Sequence, residues 1–310
     1  MVDRVTRRTF LGASALGLTA AAVGQVLTAP HAAAQLNLPL IGPISSGDHM
    51  NVMTYNLRVP VDSAWKSWGH RINHIDWLFH KEQPTIMGTQ EAHVWQIVQL
   101  MDKIRARFGD RYRAIRRGVY ADGHGPSNGV IYDHDRLRLL DHGYWWFSNT
   151  PNVAGSKSWG NEQPRMMVWL RFHDRRTGRE FVHINTHLDH QSPESRNKSA
   201  ALIKDKIPGF GRPVVVTGDF NAEPGSPVHD KMVAGGTHDS WTTADRRLTR
   251  SWNTTNGWST ALRDTGHRID WIIGTAAFDF RQAGINHWYP HDHLHVASDH
   301  WAYQAKLRLT

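Results

Sequence analysis

The chain reads as one mixed α/β (α+β) domain, two packed, mostly antiparallel sheets with helices on their outer faces. Three observations predict this class. At 310 residues, 40% hydrophobic and 21% charged, the chain has a soluble composition and the length to bury a large core. Strand-type segments outnumber helical ones and fall into hairpin-like groups. Their order is not the regular strand–helix alternation of a doubly wound sheet.

The first strand is "MNVMTYNL". In "RINHIDWLFHKE", Ile72, Ile75 and Phe79 stand at helical spacing, as do Val94, Ile97, Val98, Met101 and Ile104 in "VWQIVQLMDKIRARF". Between them "PTIMGTQE" is a short strand. The middle is β-rich, with "YRAIRRG", "NGVIYD", "LRLLDHGYWWF" and "RMMVWLRF", then the "DRRTG" turn and "EFVHINTHLD". A helix follows, capped by Ser192 with Pro193 at its first position. After it come the strand "PVVVTGDF", a short helix near 226–234 and a long irregular stretch from about 237 to 266. "RIDWIIG", "FDFRQAGINHW" and "WAYQAKLRLT" close the chain.

The first 34 residues stand apart. Arg7-Arg8, an alanine-rich apolar run and the small-residue site Ala32-Ala33-Ala34 have the layout of an export signal, of twin-arginine type and cleaved after Ala34. An uncleaved anchor is the alternative, and Gly12, Gly17, Gly24 and the cleavage-type ending weigh against it. The expectation is export machinery as a transient partner, an extracytoplasmic product and no stable membrane span after cleavage. Residues 35–48, with Pro39, Gly42, Pro43 and Gly47, read as a flexible lead-in, and 49–310 as the folded domain. Three arginines and one aspartate leave with the signal, taking the formal charge from +8 to +6. That balance favours anionic partners. The absence of cysteine excludes disulfides, thiolate metal sites and a thiol nucleophile.

Polar groups recur where strands end. Asn56 ends the first strand and Glu91 the second. Asn185, His187 and Asp189 alternate along one face, and Asp219 and Asn221 do the same. Asp270 sits in "RIDWI", where Ile269, Trp271 and Ile273 would face the core, and Asp299 and His300 close "ASDH". Each has an ordinary reading as a turn residue, a first-turn helix charge or a satisfied histidine. Those readings do not account for all of them in one chain.

"TYNLR", "GTQEA", "SNGVIYD", "NTHLDH", "TGDFNAEPGSP", "RIDWII" and "SDHWAY", in that order across residues 50–308, resemble the endonuclease/exonuclease/phosphatase superfamily. The resemblance implies a four-layer sandwich and metal-assisted hydrolysis of a phosphoester by water. It implies that Glu91 binds Mg²⁺, with Mn²⁺ or Ca²⁺ as alternatives, that Asn56 sits beside the ion and that Asp299 supports the metal site. Asp219 would orient and deprotonate the attacking water with Asn221, while His187 and His300, the latter held by Asp270, would contact phosphoryl oxygens. A hard ion taking one or two carboxylates suits that chemistry, as does an imidazole charged by a neighbouring carboxylate.

Arg58 departs from the pattern. Some nucleases of the family carry an acidic residue at that place, so the chain is closer to the phosphatase-like and secreted branches. Arg165 either reaches a phosphate or merely flanks its strand. The run of Arg105, Arg107, Arg111, Arg113, Arg116 and Arg117 suits phosphates laid along a nucleic acid, or a solvated helix end. Trp65, Trp68, Trp252 and Trp258 in loop-like sequence suit stacking on bases or sugars, or contact with lipid. His291, His293 and His295 alternate and either bind a transition metal or lie beside Asp299 and His300. The leading expectation is a secreted nuclease or general phosphodiesterase. A phosphatase or phospholipase-type enzyme and a non-catalytic binding module on the same fold are the rivals.

Overall fold

The computed structural model describes residues 38–287 and 295–310. The export signal, His291 and His293 lie outside them. The chain runs β1 (Met50–Asn56), α1 (Trp68–Glu82), β2 (Ile86–Gln90), α2 (Val94–Phe108), β3 (Tyr112–Ile115), β4 (Gly129–Asp133), β5 (Leu137–Trp146) and β6 (Met166–Asp174). It continues through β7 (Arg179–His187), α3 (Pro193–Gly209), β8 (Val214–Asp219), α4 (Pro227–Val233), β9 (Thr237–Asp239) and α5 (Ser240–Thr243). It ends with β10 (Arg246–Arg247), β11 (Asp270–Thr275), β12 (Phe278–Asn286) and β13 (Ala302–Leu309).

Seven strands form one sheet in the order β10-β12-β13-β1-β2-β4-β3, and six form the other in the order β5-β6-β7-β8-β11-β9. Both are mixed and mostly antiparallel. Of the three parallel pairs among the described residues, β1–β2 and β7–β8 are each joined through a helix, α1 and α3 respectively, and β10–β12 through β11. A parallel pair needs such a crossover. Ser192 caps α3 by accepting from the Ser195 backbone N–H at 3.1 Å, and Pro193 is its first residue.

Alternation along the strands sorts the layers. Met53, Tyr55, Met87 and Ile131 pack on Ile75, Phe79, Ile97 and Leu100 of α1 and α2. Val182, Ile184, Val216, Trp271 and Ile273 pack on Ile203 of α3 and Met232 of α4. Val52, Ile86, Phe181, Val215 and Ile272 point the other way, into the core between the sheets. Burying each such side chain contributes about 1.5–3 kcal/mol.

Toward one end this inter-sheet face turns polar. Gln90 donates to Thr54 Oγ1 at 3.0 Å and to Asn185 Oδ1 at 2.7 Å, and Thr217 donates to the same Oδ1 at 3.1 Å. Asn185 in turn donates to the carbonyls of Thr89 and Gly129, both at 2.9 Å. Buried polar groups must be paired in this way. Here the pairing crosses from sheet to sheet.

Two sequence expectations change. The "YRAIRRG" strand stops at Ile115, because its partner β4 has only Gly129 left beyond the Ile115–Val130 pair. The stretch expected to be irregular from 237 to 266 opens with β9, α5 and β10. Thr237 and Asp239 find partners on β11, and Asp239 also caps α5 and pairs with the buried Arg268. In the lead-in, the backbone N–H groups of Leu40, Ile41 and Gly42 all donate to the buried Glu82 carboxylate.

Gly88 of β2 faces Thr217 and Asn185 of the other sheet at close range. A Cβ there would collide with Thr217 Oγ1 and stand 2.6 Å from Asn185 Oδ1. Gly88→Ala should therefore destabilise the protein by about 1–3 kcal/mol in urea unfolding. Adding Thr217→Ala should recover part of that loss, whereas additive effects of the two changes would count against close approach as the cause.

Candidate active site

The polar end of the inter-sheet face is the floor of the site. Asn56 ends β1, His187 ends β7, Asp219 ends β8 and Asp270 begins β11. In register, His187 is the lateral neighbour of Asp219, and Asp219 of Asp270. One row across three strands therefore carries an imidazole and two carboxylates. The Ser298–His300 segment docks on the end of β1 through Ser298 Oγ, which donates to the Asn56 carbonyl at 2.6 Å.

All eight residues expected at the site come together around one cavity of about 330 Å³. Glu91, His187, Asp219, Asn221, Asp299 and His300 line it. Asn56 and Asp270 are buried behind them, each held to a lining residue. The Asn56 amide donates to Glu91 Oε1 and to Asp219 Oδ2, both at 3.0 Å. Its Oδ1 accepts from the Arg58 backbone N–H at 3.0 Å. Asp219 Oδ1 accepts from the Asn221 backbone N–H at 2.9 Å, while Nε2 of His187 and of His300 stand 3.6 and 3.8 Å from Oδ2.

These contacts set the charges. Burial and the Asp270 carboxylate push the Asp219 carboxyl up to about 7, against the pull of His300. Burial disfavours a charged His300, but Asp270 beside it, then Asp219 and Asp299, hold its pKa well above the ordinary value. The 2.9 Å contact from His300 Nδ1 to Asp270 Oδ2 puts a proton on Nδ1 and turns Nε2 toward Asp219. His187 is driven the opposite way by burial, Arg165 and the neighbouring imidazoles. Donors face both of its ring nitrogens, Arg165 Nη1 at 3.0 Å from Nδ1 and the Asn221 amide nitrogen at 3.1 Å from Nε2, which also disfavours a second proton on the ring.

At the mouth, Glu91 and Asp299 present carboxylates that are about one-fifth exposed. Hard oxygen donors at an accessible edge fit a Mg²⁺-type ion that keeps several waters. Asp219, Asp270 and His300 also place ligand atoms within 4.8 Å of one another. His300 sits between those two carboxylates and compensates their charge, while Arg58 faces Glu91 and Asp299 at 3.9 and 3.5 Å.

Three of the site residues adopt the left-handed backbone conformation: Arg58 (φ 61°), Glu91 (φ 66°) and Asn221 (φ 47°). Only the asparagine tolerates it readily, and such strain concentrates at functional sites. The turn carries the Asn221 amide back to within 3.1 Å of His187 Nε2 and 3.0 Å of the Leu188 carbonyl.

Sequence reasoning left several participants without a place. Arg165, nine-tenths buried, lines the cavity and also lies 3.0 Å from His190 Nδ1, while Asp189 Oδ2 sits 3.5 Å behind it. Gln163 and His190 complete that wall. The buried Arg71 donates to the carbonyls of Leu57 (2.6 Å), Lys66 (2.6 Å), Ala297 (3.2 Å), Arg58 (3.4 Å) and Val59 (3.4 Å). It thereby joins the loop after β1 to the segment that leads into Asp299. Two of the tryptophans expected in loops, Trp68 and Trp252, are buried in the cores instead. Trp65 and Trp258 meet edge to face at 5.7 Å. His295 lies against Trp65 at 4.6 Å.

Two packed sheets that converge a buried carboxyl raised toward neutral pH, a charged Asp–His pair and two part-exposed carboxylates on one polar cavity fit a hydrolase of the phosphoesterase class. The chain belongs to the endonuclease/exonuclease/phosphatase family, whose profile matches residues 53–300. Among solved structures, a family member from Bacteroides vulgatus is 28% identical with a TM-score of 0.77, covering 85% of this chain and 100% of its own. A member from Bacteroides thetaiotaomicron is 26% identical with a TM-score of 0.78, covering 84% and 98%. A mannosyl-6-phosphatase from the same organism is 26% identical with a TM-score of 0.76, covering 83% and 99%. No curated protein matches the chain in sequence.

The raised Asp219 carboxyl has a stability consequence of definite sign. The folded state keeps this proton up to about 7 while the unfolded chain releases it near 3.8, so stability falls as pH rises between those values. In chelator-containing buffer at pH 8, Asp219→Asn should melt ~5 °C above the parent chain, and the gap should narrow toward pH 5. A parent chain that melts higher at pH 8 would show that Asp219 is not raised.

Proposed function

We propose that the protein is a divalent-metal-dependent phosphoester hydrolase acting on a small phosphorylated molecule, with sugar phosphomonoesters the favoured class. One observation carries this reading: Glu91, Asp299, His187, Asp219 and His300 converge on a single cavity of about 330 Å³. That volume suits a phosphate with one sugar ring. Gln163 and His190 on its wall offer hydrogen bonds suited to hydroxyl groups. The likeness to a mannosyl-6-phosphatase at 26% identity supports the same class.

The nucleic-acid alternative has less behind it. Arg105 is near Asp102 and Asp110, Arg107 is bound to Asp76 and Arg111 to Asp133. All three lie at or beyond the last turn of α2, about 20 Å along that helix from the end beside Glu91. Cations paired there do not extend the cavity into a track for phosphates.

Glu91 and Asp299 would hold the divalent ion, which when bound supplies Lewis-acid compensation of charge on the phosphoryl oxygens. Cationic His300 donates from Nε2 to a phosphoryl oxygen, and neutral His187 stands beside it against Asp219. Asp219 takes the proton of the attacking water, and a carboxyl near 7 is matched to a base working at neutral pH. Asn56 and Asn221 fix the two oxygens of that carboxylate. On this reading the substrate is met outside the cytoplasm, after export.

Asp219→Ala should lower kcat on hexose 6-phosphates by about 10²–10⁴-fold, with the melting temperature retained in Mg²⁺. Chelator should abolish turnover and Mg²⁺ or Mn²⁺ should restore it. Unchanged turnover in either experiment would refute the assignment. Plasmid DNA cleaved faster than any sugar phosphate would return the nuclease reading.

A further inference from the structure

Arg58 has no part in the chemistry above, yet it stands at its centre. Its left-handed backbone, φ 61°, disfavours any side chain. Arg71 nevertheless binds the carbonyls of Leu57, Arg58 and Val59. The result is a guanidinium on the cavity wall, with Nη1 3.5 Å from Asp299 Oδ2 and 3.9 Å from Glu91 Oε2. Both distances exceed a hydrogen bond, so the charge faces the carboxylates without being locked to them. The firm anchor is elsewhere, from Nε to Asp62 at 3.2 Å. Glu91 keeps its own fixed contacts, to the Asn56 amide at 3.0 Å and the Val59 backbone N–H at 3.1 Å.

We propose that Arg58 is a built-in second cation of this site: beside one divalent ion held by Glu91 and Asp299, it supplies further positive charge to the phosphoryl group and excludes a second divalent ion. The inference rests on the metal-dependent reading above. Two-metal sites place their ions about 3.5–4 Å apart. A second ion at these carboxylates would stand against the guanidinium, where repulsion in a partly buried site is severe. The planar fork of arginine, with donors left over from Asp62, matches a phosphoryl oxygen pair.

The test uses the full chain, stripped of metal and titrated with Mn²⁺ under electron paramagnetic resonance, with inorganic phosphate binding followed by calorimetry. The parent chain should bind one Mn²⁺. Arg58→Gly removes the charge and relieves the left-handed strain, so folding should be retained. It should bind Mn²⁺ at least ~10-fold more tightly and phosphate ~10-fold more weakly. Arg58→Glu should take up two Mn²⁺, and Arg58→Lys, which keeps the charge, should stay at one. Two ions in the parent chain, or an unchanged Mn²⁺ affinity in Arg58→Gly, would overturn the role of Arg58 while leaving metal dependence intact. No Mn²⁺ binding by any form would sink both readings.

Discussion

The site depends on one amide. Asn56 ends a strand of the seven-stranded sheet, yet its Nδ2 holds Asp219 of the other sheet and Glu91 at the cavity mouth at once. With Oδ1 spent on the Arg58 backbone, nearly all its hydrogen-bonding capacity goes into fixing other groups. An amide can do this where a carboxylate cannot, because it donates to two anions without adding charge. The spacing between the Asp219 carboxyl and the Glu91 carboxylate is thus set by one planar side chain.

Around that bridge, charge is distributed by what stands behind each ring. Asp270 lies behind His300 and holds it cationic, whereas burial and then Arg165 behind it hold His187 neutral. Two histidines facing the same carboxylate oxygen at 3.6 and 3.8 Å are therefore biased toward different charge states. Proximity to Asp219 alone would not separate them.

Much of this was legible in the sequence because strand periodicity is a rigid rule. Once "NVMTYN", "HINTH", "VVVTGD" and "DWII" are strands, their terminal polar residues fall on the face opposite the apolar residues that meet the helices. Where the chain leaves the strand the rule lapses. Asn221 does not continue the alternation of Asp219 but returns through a left-handed turn, and Glu91 bends in by the same means. Arg58 and Arg165 were harder still: Arg58 rides on a left-handed turn whose carbonyl Arg71 holds from 13 residues away, and Arg165 is placed by Asp189, 24 residues distant. The arginine-rich run around α2 shows the converse: the fold brings Asp76 to Arg107 and Asp133 to Arg111, so part of a strong compositional signal is spent on ion pairs.

The polar seam below the cavity has a mechanical consequence. Apolar sheets in contact can slip past each other by small amounts, since hydrocarbon contacts have no preferred offset. Gln90, Asn185 and Thr217 do have one, because their hydrogen bonds join only at a single alignment. The seam thus indexes the two halves of the sandwich, and the depth of the catalytic well is gauged from beneath rather than by the loops at its rim.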